Sequence, residues 1–265
     1  LDTEIIDELY KGSVMSDLII LGSASAVPDK DHENTHFVLT GERGSVLVDC
    51  VGSPIIRLER AGIDLDSLND IILTHCHPDH ISGIPSLLMS LWLMGRRVSL
   101  NIYGLHHTLD CIERMMGLYE WGDWPDFFPV AFHRLPTQEM TLVLDNEDFR
   151  IFSSPVKHIV PTIGLRIESI PTGKVIAYSC DTEPCPQVVR LGKDADILIH
   201  EATGQSYGHS SSFQAGEVAS DAGAKILCLI HYPSHLHDSQ DFFEGAGQNF
   251  LGEIKLAEDF MKLSF

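Results

Sequence analysis

Ile71-Ile72-Leu73-Thr74-His75-Cys76-His77-Pro78-Asp79-His80 decides how this chain is read. An apolar, strand-like run ends in a loop that holds three imidazoles and a carboxylate within six residues. Imidazole and carboxylate are the ligands that suit zinc and neighbouring divalent metals. In extended backbone alternate side chains share a face, so His75 and His77 can point one way together. Asp79 and His80, beyond the Pro78 bend, can then serve a second metal. A merely solvated polar loop accounts less well for four ligand-type residues at this density.

His75-x-His77-x-Asp79-His80 resembles the HxHxDH signature of the metallo-β-lactamase superfamily. The resemblance implies an α/β fold, a four-layer αββα sandwich, and further ligands downstream. His158 in Pro155-Val156-Lys157-His158, Asp181 in Tyr178-Ser179-Cys180-Asp181, and His231 after Ile226-Leu227-Cys228-Leu229-Ile230 match those places. It further implies that His75, His77 and His158 hold one metal, that Asp79, His80 and His231 hold the other, and that Asp181 bridges them. The cofactor is then two divalent ions, Zn2+ first, with Mn2+ or Fe as alternatives. Cys180, beside the bridging position, reads as a small buried side chain.

Within the superfamily the ribonuclease Z branch is the most similar. Leu21-Gly22-Ser23-Ala24-Ser25-Ala26-Val27-Pro28 looks like its first glycine-rich turn. Ile199-His200-Glu201-Ala202-Thr203 and Gly208-His209-Ser210-Ser211-Ser212 look like its later motifs. The likeness runs from about Met15 to His231. It implies hydrolysis by a hydroxide held between two metals, which lower the pKa of bound water to about 7. Asp79 would orient that nucleophile, and His209, before a helix with a Ser N-cap, would protonate the leaving group. His200 and Glu201 would lie behind these groups, with Glu201 orienting an imidazole.

Composition fits a soluble enzyme. The chain has 265 residues, is 44% hydrophobic, and contains no apolar stretch approaching a membrane span. Residues 1–14 lack a signal-peptide pattern and read as an N-terminal extension ahead of a single domain over 15–265, with Met15 near the domain's natural start. Six cysteines need no disulfide framework at this length, so reduced thiols and a cytoplasmic location are expected. The formal net charge is −20 and Arg96-Arg97 is the one adjacent basic pair, which disfavours long nucleic acids as partners.

Apolar runs alternate with helix-period segments, as layered sheet and helix require. Strands are expected at 17–22, 36–40, 45–50, 70–74, 98–103, 130–135, 140–144, 149–155, 163–169, 174–179, 196–200 and 226–231. Helices are expected at 53–62, 84–95, 105–118, 185–192 and 212–222, while the piece after Gly252 reads equally as helix or strand. The aromatic segment 117–128 reads as a substrate cover, a homodimer contact or a packed connection. His32, His36, His106, His107, His133, His235 and His237 have no partner at convincing spacing.

Substrate choice rests on departures from ribonuclease Z. That branch extends a long arm, which grips the transfer RNA body, between the third and fourth metal motifs. Here residues 159–180 hold only two strands and a turn at Pro171-Thr172-Gly173-Lys174. The first loop, Asp29-Lys30-Asp31-His32-Glu33-Asn34, carries three acids, and Tyr232-Pro233-Ser234 lacks an arginine near the last ligand. The expected activity is therefore a metal-dependent phosphodiesterase acting on a small or single-stranded phosphodiester. The alternatives are a transfer RNA 3′-processing endonuclease, an ester, thioester or lactone hydrolase, and a non-catalytic metal-binding interaction protein.

Overall fold

The computed structural model describes residues 16–235 and 239–265. The 1–14 extension, Met15 and His237 lie outside them.

The first sheet takes its strands nearly in chain order: β1 (Asp17–Gly22), β2 (His36–Thr40), β3 (Ser45–Val48), β4 (Leu68–Ile72), β5 (Leu100–Leu105) and β6 (Val130–Leu135). The final strand, Lys262–Ser264, closes the β1 edge. Its helices are α1 (Pro54–Arg60), α2 (Pro78–Ile81), α3 (Ile84–Leu93) and α4 (His106–Gly117). The second sheet runs β7 (Thr141–Asp145), β8 (Phe149–Val156), β9 (Thr162–Ser169), β10 (Val175–Tyr178), β11 (Ile197–Glu201), β12 (Ile226–Ile230) and β13 (Glu253–Leu256). With it come α5 (Pro186–Leu191), α6 (Ser212–Ala222) and α7 (Ser239–Gly247).

Strand alternation builds the layers. Ile72, Phe37 and Val48 face Ile151, Leu165, Tyr178, Ile199 and Ile230 between the sheets. The neighbours Ile71 and Leu73 instead face Leu87 of α3 and Leu109 and Ile112 of α4. Leu198, Leu227 and Leu229 likewise face Val188 of α5 and Ala215 and Ala219 of α6. Period-two side chains thus feed one shared core and two outer ones, which is the αββα sandwich expected.

Strand direction then gathers the functional loops. β3 to β6 are parallel, as are β10 to β13. β8 runs with β10 because both are antiparallel to β9. The segments leaving β4, β8, β10, β11 and β12 therefore emerge at strand C-terminal ends, where open α/β sheets place their ligands.

Most expected elements form within two residues of their bounds. The four-residue α2 starts on Pro78, whose missing N–H costs nothing at a first helical position. A single turn carries no periodicity, so it was not expected; α7 was not expected either. The piece after Gly252 resolves into two short strands, the second of them β14 (Lys262–Ser264). The helix after His209 is α6, with Ser211 and Gln214 forming a reciprocal capping box and Gly223 in the left-handed conformation at its end. Part of the aromatic segment packs inward: Trp124 stacks on Trp92 at 4.9 Å, and Trp121 and Phe127 lie on the outer core of the first sheet, while Leu118 and Tyr119 stay exposed.

Candidate metal centre

Two sets of ligand atoms meet at the C-terminal strand ends. In the first, His75 Nε2 and His158 Nε2 lie 3.1 and 3.2 Å from His77 Nδ1, and each lies 3.9 Å from Asp181 Oδ2. In the second, His231 Nε2 is 3.5 Å from both Asp79 Oδ2 and Asp181 Oδ2, while His80 Nε2 is 3.7 and 3.5 Å from the same oxygens. Ligand nitrogens around a tetrahedral zinc sit about 3.3 Å apart, given Zn–N bonds of roughly 2.0–2.1 Å. The first trio matches that spacing.

Hydrogen bonds on the far side of each ring fix which nitrogen faces inward. His80 Nδ1 donates to Asp49 Oδ2 (2.8 Å), and His158 Nδ1 donates to the Gly208 carbonyl (2.7 Å). Thr203 Oγ1 gives its proton to the His231 carbonyl, so at 2.9 Å it accepts from His231 Nδ1. Thr74 Oγ1, donating to Asp49, accepts in the same way from His75 Nδ1 (3.1 Å). Each outer nitrogen is then the protonated one, which turns an Nε2 lone pair toward the centre. The inward rings cannot all be donors to one another, and His80 Nε2, His231 Nε2 and Asp181 Oδ1 are buried without a hydrogen-bond partner. Buried polar groups are normally satisfied. Orphaned acceptors converging on two points fit a pair of cations.

Charge follows the same geometry. Burial holds His75, His77 and His158 below the ordinary imidazole range, which favours the neutral form that ligates metal. Burial also opposes the charge on His80, but Asp181 and Asp49 beside it outweigh burial and raise its pKa well above the ordinary imidazole range, so in the absence of a cation its Nε2 competes for a proton. A metal there would displace the proton.

Three residues reach the centre through strained backbone. Asp49, Cys180 and His231 follow β3, β10 and β12 with φ of 60°, 53° and 53°. This left-handed conformation costs about 1–3 kcal/mol at a non-glycine residue. Gly208 (φ 82°) solves a different problem: a Cβ there would stand 2.8 Å from Ile159 Cγ1 and 3.0 Å from His158 Nδ1.

A cavity of about 510 Å³ opens on the centre, with His77, Asp79, Asp181, His209 and His231 at its floor and Val27, Pro233 and His235 at its rim. Among the described residues no Lys or Arg lines it. A larger depression of about 700 Å³ around Arg190 and Glu217 contains none of the imidazoles, so the chemistry belongs to the smaller one. His209 Nδ1 donates to Glu201 Oε1 (3.0 Å), and Glu201 is itself held by the Thr182 and Thr203 backbone N–H groups. Burial would lower the His209 pKa, yet the Glu201 hydrogen bond and charge raise it overall.

All seven residues expected as ligands are thus brought together, with His209 and Glu201 beside them. His200 sits on the opposite face of β11, its Nδ1 bonded to the Glu201 carbonyl and to no side chain of the centre. Two acids of the first loop are engaged within it: Asp29 accepts from Asp31 N, His32 N and the His32 ring, and the exposed Asp31 pairs with Lys30. Cys180 is buried with Sγ 3.6 Å from His75 Nδ1. Asp49 and Thr203 were not anticipated. Asp49 does end an apolar run, the same signal that marked Asp181. His107, read as unpartnered, lies 3.3 Å from Cys76 Sγ.

A profile for the Beta-lactamase superfamily domain matches residues 45–232. Ribonuclease Z of Methanothermobacter thermautotrophicus is 28% identical over 293 residues, covering 89% of this chain and 92% of that protein. That span exceeds the 265 residues of this chain, so the relative carries insertions this one lacks. Human short-form tRNase Z superposes with a TM-score of 0.74 at 26% identity, covering 93% of this chain and 98% of that one. The Bacillus subtilis metallo-β-lactamase fold protein YhfI gives 0.81 at 23% identity, over 95% and 100% respectively, a likeness of fold. All six cysteines are free, and among the described residues no helix is long and apolar enough to cross a membrane. This chain belongs to the metallo-β-lactamase superfamily, on its ribonuclease Z-like side, and is a metal-dependent hydrolase.

Proposed function

We propose that the chain is a phosphodiesterase working through two divalent ions, most simply Zn2+, with His75, His77 and His158 holding one, Asp79, His80 and His231 the other, and Asp181 shared. Metals there would supply Lewis acidity, activating a water and neutralising charge on the phosphate. The chain's own residues do the rest. Asp79 reaches the centre with one oxygen, leaving the second to accept a hydrogen bond from the attacking water and aim it. His209, tied at Nδ1 by Glu201, keeps Nε2 for the leaving oxygen and hands it a proton. The pairing with Glu201 keeps His209 protonated to higher pH than an isolated imidazole, which suits an acid.

The observation that carries this reading is the acid beside the metals. A carboxylic ester or lactone needs less help for its leaving group than an alkoxide leaving phosphorus does. Two of the named relatives are ribonucleases, so an RNA phosphodiester is the first substrate class to test, and they give no support to excluding long nucleic acid. One observation favours a second reading, a short diester. β9 and β10 are joined by the tight turn at Gly173, and no arm lies between His158 and Asp181. Among the described residues the cavity also has none of the Lys and Arg side chains that commonly grip a nucleic-acid backbone.

A single assay series separates these readings. Metal-replete protein is given a precursor transfer RNA with a 3′ trailer, a simple phosphodiester, a lactone and a thioester at low and moderate salt. Correct 3′ cleavage of the precursor at moderate salt supports the RNA reading. Turnover of the simple diester alone supports the short-diester one. A lactone or thioester turned over about 100-fold better, or 2.7 kcal/mol of transition-state binding, would overturn both.

A further inference from the structure

Cys76 stands between two of the ligands, yet its thiol serves neither metal set. It meets α4 instead, where His107 and Cys111 are spaced four apart and so share one face of the helix. Cys76 Sγ lies 3.3 Å from His107 Nδ1, and the ligand atoms of Cys76, His107 and Cys111 lie within 4.8 Å of one another. Ligand atoms around a tetrahedral zinc are separated by about 3.4–3.8 Å, from Zn–S near 2.3 Å and Zn–N near 2.0–2.1 Å. The three groups therefore need only small side-chain rotations to enclose an ion. His107 is exposed and the two cysteines half-buried, which leaves a fourth position open to solvent.

We propose that Cys76, His107 and Cys111 form a third metal site, distinct from the candidate dinuclear centre, for a zinc-class cation. Two sulfurs and an imidazole are a softer set than the imidazoles and carboxylates next door, so this site discriminates toward zinc and against magnesium or manganese. Binding forms two metal–sulfur bonds and one metal–nitrogen bond and releases the two thiol protons to solvent. Its mechanical effect is to fasten the loop carrying His75, His77, Asp79 and His80 to the first turns of α4.

The test uses the full chain, reduced, loaded with Zn2+ and dialysed. Wild type should retain one more ion per chain than His107→Ala and Cys111→Ser. Because the difference is read, it stands whether or not the dinuclear assignment does. Loading with Co2+ should give a thiolate-to-cobalt charge-transfer band that Cys111→Ser removes. Equal metal content in all three proteins overturns the proposal, as does a band that survives Cys111→Ser, which would place it on Cys180. Should either variant fold poorly, wild type alone still decides. Zn2+ must protect Cys76 and Cys111 from alkylation, and equal alkylation with and without Zn2+ sinks the site.

Discussion

The two halves of the sandwich furnish the candidate metal centre in opposite ways. The first sheet delivers four candidate ligands on one arc, His75 to His80, as β4 turns into α2. The second delivers single residues, His158, Asp181 and His231, each past the end of a different strand. The contiguous half is set by local backbone. The dispersed half exists only when β8, β10 and β12 are in register and point the same way. A centre of this kind has one side that can be read locally and one side that is a readout of correct folding.

Substitutions can break that comparison, and the largest effect falls where the halves meet. Asp181→Ala removes the carboxylate common to both ligand sets and should abolish turnover and lower metal content; near-normal metal content and activity would show the contiguous half to be sufficient. His209→Ala, beyond both ligand sets, should lower kcat on a phosphodiester by about 10²–10⁴-fold with metal content unchanged, measured on metal-analysed protein. Asp49→Asn tests the hidden support of the contiguous half. Loss of the carboxylate behind His80 should weaken metal affinity by about 10–100-fold in chelator competition, and an unchanged affinity would leave that loop self-supporting.

Two smaller effects sharpen the dispersed half. In the proposed role His209 acts in its protonated form, and its pKa is raised, so activity should fall as pH rises through that value. Glu201→Gln removes the neighbouring charge, so the alkaline limb of the kcat profile should move to lower pH at equal metal loading. A limb that does not move would take His209 out of the role of acid. Gly208→Ala should destabilise by about 1–3 kcal/mol, read as a lower Tm, because a Cβ at φ 82° would meet Ile159 and His158.

Much of the fold is legible in the order of residues alone. Alternating apolar runs locate twelve of the strands because a sheet with both faces covered leaves continuous hydrophobic signatures. What escapes is mostly short or end-on: the single turn α2, the three-residue β14, and the role of Asp49, which lies just past β3; the nine-residue α7 escapes as well. The aromatic segment offers three readings, and the stacking of Trp124 on Trp92 supplies the inward packing that one of them requires. Periodicity cannot see a partner two elements away.

By itself the sequence determined the types and order of the candidate ligands, since imidazoles and carboxylates at strand ends have few other uses at that density. Only the tertiary structure decided how they work together. The choice of Nε2 on His75, His80, His158 and His231 comes from Thr74, Asp49, Gly208 and Thr203, which lie on other loops or share no spacing rule with the rings they hold. The pairing of His209 with Glu201, and of Cys76 with His107, is likewise made across elements. A ligand can be recognised by its chemistry, but its tautomer, charge and partner are properties of the three-dimensional surroundings that only folding assembles.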